Sequence, residues 1–181
     1  MGRAGLARYA EQGKREKREL FKRYQVAPIH TLFKQRFFDL FSNACFKCGL
    51  FVDPAIPYET RRVLCMDHHI PMALGGHLVP GNIVSLCRRC NEKKLDRHPT
   101  LFYKDFELTQ LQPILDQQHE LFAFTFDWNS WDSDREKYLL SLGIDATTVK
   151  EVLHNSDHPD FVGTGSDRLG VAISPFGIFR L

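Results

Sequence analysis

Two Cys-x-x-Cys knuckles, Cys45-Phe-Lys-Cys48 and Cys87-Arg-Arg-Cys90, constrain this chain more than any other feature. Each tight turn points two thiolates at one centre, and a pair of such turns suits a tetrahedral ion. A soft thiolate set favours Zn²⁺ over magnesium or calcium. Four protein ligands leave no open coordination position, so the expected zinc is structural. The alternatives are two disulfides or four unrelated core cysteines. Nothing at the N-terminus reads as a secretory signal, and structural disulfides are rare in reducing compartments, so the knuckles predict zinc and a cytoplasmic location. The fifth cysteine, Cys65, has no partner and lies in the apolar run Arg62-Val-Leu-Cys-Met66, where it reads as a small buried hydrophobe rather than a nucleophile.

Between the knuckles, residues 63–68 are rich in apolar side chains and run into Ile70-Pro71, a strand ending in a turn; Ile83 to Leu86 reads as a second strand. Gly75-Gly76, Pro80 and Gly81 punctuate the connection. After Cys90 the run Asn91-Glu-Lys-Lys-Leu95 holds good helix formers, predicting a helix that starts within or just after the second knuckle. In this strand, loop, strand, helix order, Asp67 from a strand end and Asn91 from a helix start can offer hard oxygen ligands from opposite sides. Such ligands suit Mg²⁺ or Mn²⁺, which keep several waters and accept phosphate oxygens in the remaining positions.

The residues Asp67-His68-His69-Ile70-Pro71, Gly75-Gly76, Asn82 and Cys87-Arg-Arg-Cys90-Asn91-Glu-Lys-Lys94 together resemble the HNH endonuclease family in a zinc-stapled variant of its ββα-metal fold. The resemblance covers residues 40–97 and implies an α+β fold organised on that unit. It assigns His68 as the base that deprotonates the attacking water, Asp67 and Asn91 as holders of one divalent cation, and Asn82 as a brace for the loop that orients the base. The implied products carry 5′-phosphate and 3′-hydroxyl ends. A neutral histidine can take a proton at physiological pH, and a cation touching a phosphoryl oxygen and the leaving oxygen can meet the growing charge. Two positions depart from the family pattern. Asn91 stands where histidine is common, which makes the site oxygen-rich and favours Mg²⁺ or Mn²⁺ over a transition metal. His69 stands where an apolar residue is usual; strand alternation sends it to the face opposite His68, as a structural histidine with a reserve claim on the base role. His77, in the Gly-rich loop, reads either as a DNA contact or as a solvated side chain.

At 181 residues with 43% hydrophobic content the chain suffices for one domain, or for a small catalytic module with an appendage. It contains no run of eighteen apolar residues, which excludes a spanning helix. Net charge is only +2, but residues 1–104 hold 19 of 24 Lys and Arg and 9 of 22 Asp and Glu, a balance of +10, while residues 105–181 hold 5 and 13, a balance of −8. The asymmetry puts the polyanion-binding face in the N-terminal half. Residues 1–42 read as a basic helical arm. Within it Lys14 to Tyr24 reads either as a phosphate-contacting helix or as a solvated one laced with i,i+4 pairs. Pro28 interrupts the chain, and Ile29, Leu32, Phe33, Phe37, Leu40 and Phe41 recur at helical spacing as a core-facing stripe. The loop from Gly49 to Thr60 leads to Arg61 and Arg62, which with Arg88, Arg89, Lys93 and Lys94 are the candidate phosphate contacts; a ligand-free surface role is the alternative for each.

Residues 43–98 are the expected zinc-stapled core and 99–181 an acidic, mixed α/β extension for dimerisation or specificity. There Phe102 to Phe106 reads as extended, Leu108 to Phe122 as a helix interrupted near Pro113, and Phe122 to Trp131 as a strand running into an aromatic turn. A capping box at Ser133-Asp-Arg-Glu136 precedes a helix that Gly143 ends, and Asp145 caps another through Leu153. The last two carry acids rather than a basic recognition face, so packing or a protein partner fits them better than a DNA groove. The tail from Phe161 predicts a pair of terminal strands or a dimer contact. The expectation is a metal-dependent endonuclease acting on duplex DNA, of restriction type, for which a homodimer would match a palindromic site. The alternatives are a homing or phage-type nicking enzyme, and a non-catalytic zinc module that binds nucleic acid or protein, for which Asp67, His68 and Asn91 are ordinary surface residues.

Overall fold

The computed structural model describes residues 3–56, 63–156, 171–174 and 177–180. Arg61 and Arg62 lie outside them. In order, the elements are helices α1 (Arg3–Lys22) and α2 (Ala27–Leu40), strand β1 (Leu64–His68), a 3₁₀ turn (Met72–Leu74), strand β2 (Ile83–Cys87), helices α3 (Arg88–Lys94), α4 (Pro99–Phe102), α5 (Asp105–Leu121), α6 (Trp128–Ser133), α7 (Arg135–Ser141) and α8 (Ala146–Ser156), and strands β3 (Val171–Ser174) and β4 (Gly177–Arg180). No helix of the described residues is long and apolar enough to cross a membrane. The chain divides into two compact units, one of Met1–Leu20 with Gln35–Ala123, the other of Phe21–Lys34 with Phe124–Leu181.

In the first unit β1 and β2 pair antiparallel, with Leu64 opposite Cys87 and His68 opposite Ile83, and α3 follows β2 without a break. All five β2 side chains are buried, whereas β1 alternates, with Leu64 and Met66 inside and Cys65, Asp67 and His68 partly open. Leu64 and Met66 thus turn to the core, while Asp67 and His68 both stay partly open at the end of the strand, where the alternation of burial stops. The core is aromatic and aliphatic: Phe37, Phe41, Phe122, Leu86, Leu111 and Leu115 are buried together with Ile83 and Val84. Phe37 lies 5.2 Å from Phe41 and 6.3 Å from Phe122, ring centre to ring centre. A buried amide tightens the package: Gln118 of α5 donates to the Ile83 carbonyl at 2.6 Å and accepts from the Gly81 and Ile83 N–H groups at 3.0 and 3.3 Å. Gln118 and Ile83 are fully buried, and leaving one of their polar groups unpaired costs about 1–3 kcal/mol.

The second unit rests on the packed rings of Tyr24, Phe33 and Phe124, 4.6 to 5.4 Å apart, with Tyr24 stacked on the other two. Its other cluster is Phe126, Trp131 and Tyr138, whose hydroxyl accepts from the Asp127 N–H at 3.0 Å. Helices α7 and α8 meet across a turn in which Gly143 takes φ 89°, and Asp145 accepts from the Thr147 and Thr148 N–H groups to cap α8. Strands β3 and β4 pair antiparallel, as the terminal pattern predicts.

The structure corrects several expectations. Pro28 does not separate the helices; the turn comes at Arg23 to Gln25, with Gln25 at φ 61°, and Pro28 sits in the first turn of α2, where its missing N–H would be unpaired anyway. Phe102 to Phe106 is not extended but contains the end of α4 and the start of α5. Helix α5 runs straight through Pro113, whose ring is on the exposed side. Residues 122–131 form no strand: Asp127 accepts from the Asn129 and Ser130 N–H groups and starts α6, so a cap overrides the aromatic alternation. The next helix is capped by Asp134, which accepts from the Lys137 N–H at 2.9 Å, one residue later than the expected Ser133.

Candidate active site

The thiols of Cys45, Cys48, Cys87 and Cys90 all lie within 4.8 Å of one another. Cys48 Sγ and Cys87 Sγ are 3.7 Å apart, close to the ~3.8 Å edge of a tetrahedron with metal–sulfur bonds of ~2.3 Å and far beyond a disulfide bond. All five cysteines are free, which removes the disulfide alternative. Local chain geometry explains the convergence. The first knuckle is a tight reversal, closed by Gly49 N–H to Cys45 O at 2.8 Å and Cys45 N–H to Leu50 O at 2.9 Å, and fastened to β2 through Phe46 N–H to Ser85 O. The second knuckle opens α3, where Cys87 Sγ accepts from the Cys90 N–H. Lys47 reaches from the first knuckle to Glu107 at 2.6 Å, tying it to α5. Burial pushes the Cys45 and Cys90 thiols up, while the Leu50 N–H draws Cys48 down. Four thiols gathered this closely, three of them buried, form a cluster that could hold zinc. Cys65 is separate; its thiol donates to the Leu86 carbonyl at 3.1 Å and burial raises it to about 11, as suits an inert packing residue.

On the open face of β1, Asp67 stands against the first turns of α3. Lys94 Nζ donates to Asp67 Oδ2 at 2.8 Å, and Lys94 is only 1% exposed. Its expected role at a surface phosphate therefore gives way to a buried ion pair, since a charge in that position requires a partner. One terminal atom of the Asn91 amide lies 3.1 and 3.2 Å from the two Asp67 oxygens. The surrounding acceptors favour nitrogen inward, donating to Asp67. With oxygen inward the two side chains form a hard-oxygen pair at the ~3 Å spacing of neighbouring ligands on an octahedral ion with bonds of ~2.1 Å. The donor set thus fits a hard divalent cation.

Asn82, 8% exposed, holds the connecting loop from inside. Its Oδ1 accepts from the Ile70 N–H at 2.7 Å, and its Nδ2 donates to the carbonyls of Ile70 at 3.1 Å and His77 at 2.7 Å. Gly76 is needed there, because a Cβ would sit 1.8 Å from the Ile70 carbonyl oxygen. The loop and β1 deliver His68 to a cavity of about 730 Å³, bordered by Asp67, Asn91 and Lys94 and, on the far side, by Gly13 and Lys17 of α1. His69 goes the other way, as alternation predicts. Its ring packs 5.8 Å from that of Tyr103, and burial lowers it to about 4.

Glu16, which no sequence motif marks, reaches this loop from α1. Its carboxylate accepts from His68 Nε2 at 3.2 Å, His77 Nδ1 at 2.8 Å, the Leu78 N–H at 2.7 Å and Gln12 Nε2 at 3.1 Å. The one sequence signal is Gly13, an unfavourable residue in mid-helix that marks a close approach. Burial opposes the charge on Glu16, but hydrogen bonds from His77, Leu78, His68 and Gln12 outweigh it and hold the carboxyl down at about 2 against an ordinary 4.5. A depressed folded-state value means that the stabilisation is complete above the unfolded value and is lost as pH falls through the folded one. The stability gap between the wild type and Glu16→Gln, measured by denaturant unfolding, is therefore expected to be widest above pH 4.5 and to narrow as pH drops towards 2. A gap that stays constant through that window contradicts the assignment.

Of the other candidate phosphate contacts, Arg88, Arg89 and Lys93 are exposed on α3, Arg88 with its Nε on Glu92 at 2.9 Å. His77 is exposed but held by Glu16, so it is not merely solvated.

Residues 58–107 match the family model of the HNH endonucleases. No curated protein and no solved structure matches the chain. The matched segment contains Asp67, His68, Asn82, Asn91 and the second knuckle but stops short of Cys45 and Cys48, which the fold brings back to it. A helix-rich chain with a small two-stranded sheet and a four-cysteine cluster fits an HNH-type α+β fold.

Proposed function

We infer that the HNH endonuclease segment at residues 58–107 makes this chain a metal-dependent DNA endonuclease. The observation that carries the reading is the meeting of Asp67, Asn91 and His68 at one cavity. A cysteine cluster needs none of them, and a binding module without chemistry leaves all three unexplained. Cys45, Cys48, Cys87 and Cys90 would hold Zn²⁺, which would staple β2, α3 and the first knuckle together in a structural role. Asp67 and Asn91 would hold Mg²⁺ or Mn²⁺, which supplies charge neutralisation at the phosphoryl group and at the departing O3′.

The remaining work falls to the chain's own side chains. Lys94 keeps the Asp67 carboxylate fixed against α3. Asn82 locks the loop from Ile70 to His77, so that the end of β1 stays rigid. His68, next to Asp67 and facing the cavity, takes the proton of the attacking water. Arg88, Arg89 and Lys93 neutralise flanking phosphates, in keeping with the basic N-terminal half. Duplex DNA is the substrate this reading assigns, cut by a restriction-type enzyme whose acidic C-terminal half serves dimerisation or specificity.

Supercoiled plasmid tests it. Incubation with the purified protein is expected to give cutting that needs Mg²⁺ or Mn²⁺, with discrete linear bands. Nicked circles without linear product move the reading to a nicking enzyme. Intact plasmid across both metals overturns the nuclease reading.

A further inference from the structure

We propose that Glu16, projecting from α1, is a positioning residue that holds His68 in the one tautomer able to act as the base; the proposal rests on the reading of His68 as that base. The N-terminal helix would then be a working wall of the active site and not only a basic arm.

An ionised carboxylate has only acceptors, so at 3.2 Å from Glu16 Oε2 the His68 Nε2 must carry the hydrogen. In a neutral imidazole the lone pair then stands on Nδ1, the atom left to take a proton. Without Glu16 the two tautomers compete, and part of the population presents the wrong nitrogen. A single partner on one ring nitrogen fixes both the tautomer and the ring plane, as it does for histidines that bind metals.

Glu16 is itself immobilised: its side chain is 17% exposed and its two oxygens take four hydrogen bonds, the shortest from the Leu78 backbone. It is therefore a fixed reference that sets the imidazole, not a floppy surface acid. The helix also approaches the ring closely. Gly13, one turn before Glu16, lies so near the site that an added Cβ would stand 3.3 Å from Met72 Cε and 3.9 Å from His68 Cε1. A glycine inside a helix costs about 1 kcal/mol relative to alanine, and here it lets α1 settle against the ring that Glu16 grips. Gly13, Lys14 and Lys17 line the same cavity as Asp67 and Asn91.

A tether with no catalytic effect would make the same contacts, and a latch that blocks the site would too. The full chain, with its zinc, distinguishes them. In long-range ¹⁵N–¹H spectra recorded without magnesium or manganese, wild-type His68 is expected as the Nε2–H tautomer, and Glu16→Ala as a mixture with the Nδ1–H form. In plasmid or oligonucleotide cleavage, Glu16→Ala is expected to lose roughly 10–100-fold in kcat with little change in KM. Glu16→Gln, whose amide oxygen can still accept from one imidazole, is expected to recover part of the loss. The Gln variant also carries the test if the alanine variant does not fold. Unchanged tautomer and kcat in a folded Glu16 variant overturn the proposal in favour of a tether; a raised kcat overturns it in favour of a latch. His68→Ala separates the two levels. Full cleavage by that variant sinks the base assignment itself, whereas a dead His68→Ala beside a fully active Glu16→Ala sinks only the role of Glu16.

Discussion

Cys87→Ser is expected to abolish metal binding by the cysteine cluster and to unfold the unit around it. Cys87 ends β2, pairs across the sheet with Leu64, opens α3 and places its sulfur 3.7 Å from Cys48. Serine at this position keeps a hydrogen-bond acceptor for the Cys90 N–H, so loss of the helix cap is not what the substitution measures. It removes a soft thiolate and leaves three. Structural zinc contributes roughly 10–16 kcal/mol of apparent binding free energy in small zinc-folded peptides, as large as the whole stability of most domains, about 5–15 kcal/mol. The wild type is expected to carry one zinc per chain by elemental analysis, and Cys87→Ser close to none, with its unfolding transition lost or broadened in circular dichroism. Cys65→Ser is the control, because the Cys65 thiol donates to Leu86 and takes no part in the cluster. A Cys87→Ser chain with wild-type stability would remove the zinc staple from the account.

How much of this is legible in the chain depends on the range of each interaction. The strands about Asp67 and Ile83, the helix after the second knuckle and the cysteine spacing are short-range patterns, and they are visible as alternation and as C-x-x-C. The cap of α6 is hidden because Phe122 to Trp131 alternates like a strand, while the single residue Asp127 satisfies two N–H groups and turns the chain into a helix. Pro113 reads as a break because proline removes one bond. In α5 that bond lies on the exposed side, while Leu111, Leu115 and Gln118 secure the buried one. The contacts that shape the candidate site are the least legible. Lys94 reads as a phosphate contact because it lies among basic residues, yet the turn of α3 carries it under the sheet to Asp67, 27 residues away in the chain. Glu16 reaches His68 across 52 residues, and nothing in a run of interspersed Lys, Arg and Glu sets one acid apart. Pairings of that range are set by how elements dock, which local propensity does not encode.

His68→Ala is expected to cut the cleavage rate by about 10²–10⁴-fold, the usual worth of a positioned general base, while leaving zinc content, stability and DNA affinity close to wild type. Its side chain is 12% exposed and faces the cavity, so truncation opens space at the site without creating a void in the core. Asp67, Asn91 and Lys94 keep their mutual contacts, and a divalent cation is expected to bind the variant about as well. The loss should therefore fall on kcat, measured under single turnover on a supercoiled plasmid, and not on KM. His69 is the neighbour that could stand in, and two observations argue against it. It turns away to pack on Tyr103, and in that position burial lowers its affinity for a proton to a pKa of about 4. The double variant His68→Ala/His69→Ala is thus expected to be no slower than His68→Ala alone. A His68→Ala enzyme that retains most of its activity, and loses it only in the double variant, would transfer the base to His69 and require β1 to present its opposite face to the substrate.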